Sequence, residues 1–309
     1  MFSNFVTVGE QVFILFVLIG VGFICGKKKF MSNKSAKEMT DIVLFFVTPC
    51  VIINAYQIDF DINILTNLCI TAVCTIAIYI ISIIIATVAF RDKDISKRTV
   101  LRFGTVFSNC GFMSLPLQSA IIGPEGVLYG SAFIAVFNVM LWSYGVLCMS
   151  EDKRGMSFKQ LFLNPGVLGV IIALVFFLTS FKLPVIIGKP VEYLAGLNTP
   201  LPMIIIGYYL SQNKLASGLR DFTIWKATIV RLVLIPLASF IIMYSVGIRG
   251  PILIACVIAT SAPTAAATTM FATRFNRSVS ISVDLVSITT ALSIVTMSLL
   301  VAMAQYLGG

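Results

Sequence analysis

Polar residues are sparse in this chain, and those set within apolar stretches are its candidates for chemistry. The first group is Ser108-Asn109, followed by Gly111 and by Pro116 seven residues after the asparagine. The second is Ala262-Pro263-Thr264. Proline lacks an N–H and its ring clashes with the carbonyl four residues back, so Pro116 and Pro263 each predict a broken helix. Broken backbone inside a bilayer is tolerated only where protein or a water-filled cavity covers it. A half-helix that starts at such a break presents unpaired N–H groups and a partial positive charge, which hold an anion without a basic side chain. The Asn109 amide adds a donor suited to a carboxylate, and the Thr264 hydroxyl a further contact of lower rank. Asn138 lies in another apolar stretch, where an unpaired amide is costly. It either bonds a neighbouring helix or lines the same site.

Two charges also fall within apolar stretches, Arg231 and Asp284, both placed near the cytoplasmic ends of their helices. They read either as a structural ion pair or as a proton- or cation-linked switch. The chain has no histidine. That removes His-ligated metals and both Ser-His-Asp and Cys-His catalysis. The seven cysteines lie in or beside apolar stretches and form no CxxC pair, so they read as small apolar fillers. No cofactor and no enzymatic activity are expected.

What must position these residues is a set of membrane-spanning helices. The chain is 58% hydrophobic and 11% charged with mean hydropathy +1.00, beyond the range of a soluble domain. A spanning helix needs about 20 apolar residues. Ten such spans are expected, at about 6–26, 40–57, 65–90, 99–122, 126–149, 160–180, 191–212, 223–246, 251–273 and 279–306. The first has no upstream basic region or small-residue cleavage site and reads as a retained helix. Eighteen of the 22 basic residues fall in the odd-numbered loops, against Lys182, Lys189 and Arg249 in the even ones. The positive-inside rule then makes the odd loops cytoplasmic and puts both termini outside a cell membrane. The +9 net charge is thereby accounted for by orientation in the bilayer, not by a nucleic-acid partner. Gly20, Gly22 and Gly26, the pair Gly126 and Gly130, and the stripe Ala255, Ala259, Pro263, Ala267 mark close helix packing.

Two landmarks repeat. Thr48-Pro49 and Thr199-Pro200 are followed by aliphatic runs and place their prolines 151 residues apart; Pro116 and Pro263 are 147 apart. Five spans per half is odd, so the second half enters from the opposite side. The expected fold is all-α and integral to the membrane. Its ten helices form two inverted five-helix repeats, 1–150 and 151–309, with helices 4 and 9 broken and crossing as an X.

On these residues the sequence resembles the auxin efflux carrier family, whose members are also described as malate or malonate permeases. The resemblance covers essentially the whole chain. It is carried by Thr48-Pro49, by Ser108-Asn109 through Leu115-Pro116-Leu117, and by Phe137-Asn138 with Trp142-Ser143-Tyr144-Gly145. In the second half it is carried by Thr199-Pro200 and by Ala262-Pro263-Thr264 with Phe271-Ala272 and Phe275-Asn276. It implies a scaffold of helices 1, 2, 6 and 7, a mobile part made of the rest, and a homodimer formed through the scaffold at helices 2 and 7. It also implies that Asn109 contacts a substrate carboxylate. The chain departs from the plant carriers in its short loop between helices 5 and 6, and in Thr264, where a glutamine is expected. The second difference points away from auxin itself and toward another small organic anion. The broken-helix crossing also occurs in sodium-coupled bile-acid and proton-antiporter folds, so proton coupling through Asp284, sodium coupling at Thr264 and simple uniport all stay open. A membrane receptor or lipid sensor on the same scaffold is the alternative to a transporter.

Overall fold

The computed structural model describes residues 2–150, 165–212 and 221–308. Lys153, Arg154, Lys159, Lys214 and Arg220, counted on the cytoplasmic side, and Asn164 at the expected start of the sixth span lie outside these. The described elements are helical apart from one isolated pair of bridged residues, Ser108 and Thr264.

The chain opens with α1 (Phe2–Lys27), then α2 (Asn33–Ile42) and α3 (Thr48–Ala55), joined by a π-helical turn, Val43–Val47. The long α4 (Ile62–Ala89) follows. The fourth expected span is interrupted: α5 (Ile95–Val106) stops, and a π turn, Cys110–Ser114, leads directly into α6 (Leu115–Ile122). Next come α7 (Pro124–Met140), a π turn at Leu141–Gly145, and α8 (Val146–Met149). The second half has α9 (Pro165–Thr179), α10 (Val185–Gly196), α11 (Pro200–Gln212) and α12 (Phe222–Ile229), the last joined through a π turn, Val230–Leu234, to α13 (Ile235–Ser245). It ends with α14 (Gly250–Ser261), α15 (Ala267–Arg274) and α16 (Val279–Gly308).

Among the described residues, five stretches are long and apolar enough to cross a bilayer: Asn33–Ala55, Ile62–Ala89, Pro124–Met149, Phe222–Ser245 and Val279–Gly308. Shorter apolar helices accompany them at Phe13–Lys27, Cys110–Ile122, Val167–Thr179 and Gly250–Ser261. This is the architecture of a multi-pass membrane protein. The seventh expected span is itself divided, because α10 and α11 are separate helices.

The helix starts are capped by short acceptors on the loops. Asp61 accepts from the Asn63 N–H, Asp94 from those of Ser96 and Lys97, and Asp221 from that of Thr223. Three of the four described π turns run straight into a proline at the second position of the next helix: Pro49, Pro116 and Pro236. The wider turn makes room for a ring that would otherwise strike the carbonyl behind it. This corrects the expected break at Pro116. The π turn absorbs that proline, and the helix is interrupted earlier, at Phe107–Asn109.

Glycines set the closest packing. A methyl on Gly22 would run into the Ile204 carbonyl, and one on Gly207 into that of Ile19, so α1 and α11 meet backbone to backbone. Gly26 meets Ser211 on the same seam, whereas Gly20 has nothing within 4 Å. Gly126 and Gly130 press α7 onto Gln118 of α6, in keeping with their expected packing role. A large apolar core runs through most of the helices. A second, smaller cluster joins Leu15 and Ile19 of α1, Met203 and Ile206 of α11, Met113 and Leu117 of the fourth span, Ile254 and Ile258 of α14, and Met297 of α16.

Candidate functional site

The two interruptions meet. Past α5, Phe107 is extended (φ −94°, ψ 113°), and past α14, Ala262 is extended (φ −59°, ψ 147°). The Asn109 N–H donates to the Pro263 carbonyl at 2.7 Å, and the Ala265 N–H to the Phe107 carbonyl at 2.9 Å. Ser108 and Thr264 therefore face each other as an antiparallel pair buried in the protein. Proline suits this place because Pro263 is needed only as an acceptor.

The carbonyls left over at the end of α5 are all satisfied, as buried backbone requires. That of Phe103 takes the Phe107 N–H at 3.0 Å, and that of Gly104 takes the Thr264 hydroxyl at 2.9 Å. Those of Thr105 and Val106 take Arg231 Nη1 at 2.9 and 3.3 Å. Arg231 Nη2 turns the other way and donates to the Thr260 carbonyl near the end of α14. The opposite ends differ. Among the described residues, the N–H groups of Cys110, Gly111 and Phe112, and those of Ala266 and Ala267, make no main-chain hydrogen bond. Gly111, Phe112, Ala266 and Ala267 are also only partly buried. A methyl on Gly111 would meet no atom within 4 Å, so open space adjoins that amide. The site thus pairs carbonyl-bearing ends filled by a cation with amide-bearing ends that take no main-chain acceptor.

The expected site residues are distributed as follows. Asn109 sits at the start of the second half of its span, not at the end of the first. It is 7% exposed, and its side chain makes no capping hydrogen bond among the described residues. Ser108, Gly111 and Pro263 gather with it where the two breaks are bridged, while Pro116 lies seven residues further along, inside α6. Thr264 is fully buried: its hydroxyl donates to Gly104 and its N–H donates to the Thr289 hydroxyl at 3.2 Å. Asn138 donates to the Ile134 carbonyl of its own helix at 2.9 Å, a bond that uses one of its amide's two donors.

Arg231 and Asp284 do not form the expected ion pair. The guanidinium directs its donors to main-chain carbonyls at the two breaks, and Asp284, sixth residue of α16, is buried and engaged by other neighbours. Arg231 lies nine residues past Phe222, about 14 Å along the helix, and its long stem carries the charge on to the two breaks. Residue types mark Ser114 and Thr268 as hydroxyls beside the two breaks, but give no sign of Thr289. Thr289 braces Thr264, and the Ser114 and Thr268 hydroxyls are buried without a partner at the starts of the two second halves. Serine and threonine are common in membrane helices, where most bond their own backbone, so residue type does not single out Thr289.

The model of the membrane transport protein family matches residues 7–301. An uncharacterized transporter of Methanocaldococcus jannaschii is 22% identical over 308 residues, covering 94% of this chain and 96% of the relative. The match runs through both interruptions. The chain belongs to the membrane transport protein family, the auxin efflux carrier family that its motifs resemble.

Proposed function

We propose that this transporter is a secondary carrier of small organic anions, mono- or dicarboxylates of the malate or malonate kind, working by alternating access in a cell membrane. The observation that carries the proposal is the junction of the two breaks. There, N–H groups of two half-helices that make no main-chain hydrogen bond lie on either side of the junction, with the Asn109 amide beside them and open space at Gly111. Two helix N-termini, each carrying about half a positive charge, suit one carboxylate. Asn109 gives that carboxylate a directed hydrogen bond. Thr264 and Asn138 hold the backbone around the site and do not touch the substrate.

In this reading the ten spans form two inverted repeats of five, with both termini outside, and spans 4 and 9 carry the substrate between the two faces. The dimer through helices 2 and 7 belongs to the same reading. The test is uptake of labelled malate, malonate and indole acetate into proteoliposomes by the wild type and by Asn109→Ala. The wild type is expected to accumulate at least one of the three. Asn109→Ala is expected to lose about tenfold or more of that uptake at an unchanged melting temperature, because it leaves a carboxylate without a buried donor. Uptake by Asn109→Ala equal to wild type would remove the asparagine from the site. No uptake of any carboxylate would favour a receptor.

A further inference from the structure

Arg231 is the largest fully buried side chain in the described protein. A charge taken out of water inside a membrane protein is retained only with partners. Its partners here are the Thr105 and Val106 carbonyls at the end of α5 and the Thr260 carbonyl near the end of α14. Each helix C-terminus carries about half a negative charge, so two ends converging on one point present about one full negative charge. One guanidinium cancels that amount, and it does not lose its proton in proteins. Where broken helices cross in membrane carriers, unwound carbonyls and half-helix C-termini are the groups that coordinate a coupling sodium ion or proton.

We infer that Arg231 is a built-in counter-ion, occupying the place of a coupling cation at the carbonyl ends of both interrupted helices. The planar fork reaches both ends at once, which a compact ammonium cannot do. The carbonyl ends are thereby neutral at all times, and the amide ends alone are left to answer the charge of the substrate. No monovalent cation then binds at these carbonyls. Only the transport arm of the test rests on the organic-anion reading; the melting arm stands without it.

The experiment compares wild type, Arg231→Lys and Arg231→Met in detergent, in sodium chloride and in choline chloride of equal ionic strength. The wild type is expected to melt at the same temperature in both salts. Arg231→Met should melt about 10 °C lower in choline, since three carbonyls lose their donor, and should recover part of that loss in sodium. Arg231→Lys should melt between the two and stay indifferent to sodium. The inference is overturned if sodium raises the wild-type melting temperature by more than about 2 °C, or if either variant melts with the wild type. Should Arg231→Met fail to fold, the wild type and Arg231→Lys still decide. In proteoliposomes, malonate uptake by the wild type is expected to be the same within twofold whether sodium or choline is outside. A tenfold dependence on sodium would overturn the inference. Failure to take up any carboxylate would count against the anion-carrier reading and leave the melting data to judge Arg231.

Discussion

Gly111 and Asp221 illustrate how single residues divide between function and stability. A methyl on Gly111 meets nothing in the protein, so Gly111→Ala is expected to fold with a melting temperature within about 1 °C of wild type. The space it fills is the space assigned to substrate, and one extra carbon in a fitted pocket is worth about tenfold in discrimination. Uptake should fall by that order; unchanged uptake would place the substrate elsewhere. Asp221 lies outside the spans. Burial pushes its carboxyl pKa up, but hydrogen bonds from the Thr223 hydroxyl and N–H and from Lys97 outweigh this and hold it below the usual carboxylate value. A depressed folded pKa contributes stability that is present above the unfolded value, near 4, and is lost as pH falls through the folded one. Wild type should therefore lose melting temperature on acidification below about pH 4, and Asp221→Ala should lack that component of the loss. At neutral pH the variant should be about 1 kcal/mol less stable, the worth of a helix cap. Thermal melts at pH 3 and pH 7 check both statements.

The recurring device among the elements is a cation set on the carbonyl end of a helix. Lys226 and Arg102 close the end of α4 at Ala89, Phe90 and Thr87; Arg277 closes α8 at Met149; Arg249 closes α13 at Tyr244. Arg231 does the same for two interrupted helices inside the protein. Part of the positive charge read from the sequence as orientation is therefore also bound up in capping. The other recurring device is the glycine seam between α1 and α11. Gly207→Ala and Gly22→Ala should each lower stability by about 1–3 kcal/mol, since the new methyl meets backbone that cannot step aside. The double variant should cost less than the two single costs added together, because the first substitution already opens the seam. Gly20→Ala serves as the control and should be neutral. The seam was readable in the sequence as a run of small residues, but which of them touch was not: Gly20 and Gly22 differ only in the face they present. The break at Pro263 was readable from its proline. The break at Phe107–Asn109 was misplaced because nothing local produces it; its backbone pairs with residues 263–265, and that partner is remote in sequence. Arg231 was misread for the same reason, since depth was counted along its own helix and its acceptors belong to two others.

Across the whole molecule, the described apolar helices fall on the stretches that hydropathy marked, and the family match spans nearly all of them. Helices announce themselves through length and apolarity, so this scale was the most legible. The orientation rests on charge asymmetry, and a fusion at the C-terminus tests it: alkaline phosphatase attached there should be active in a bacterial host, and a fluorescent protein dark. The reverse pattern would invert the topology. One feature of the packing bears on motion. The bridge and the Arg231 contacts bind spans 4, 8 and 9 to one another, while the smaller apolar cluster lies between them and the α1–α11 pair. That boundary is faced by Met113, Met203 and Met297, all nearly inaccessible, and thioethers tolerate repacking better than branched side chains. If this is the surface that slips during turnover, oxidant reaches the three sulfurs only while the carrier is cycling. Sulfoxide at these methionines should then accumulate faster with substrate present than without it, so peroxide followed by mass spectrometry becomes a counter of strokes.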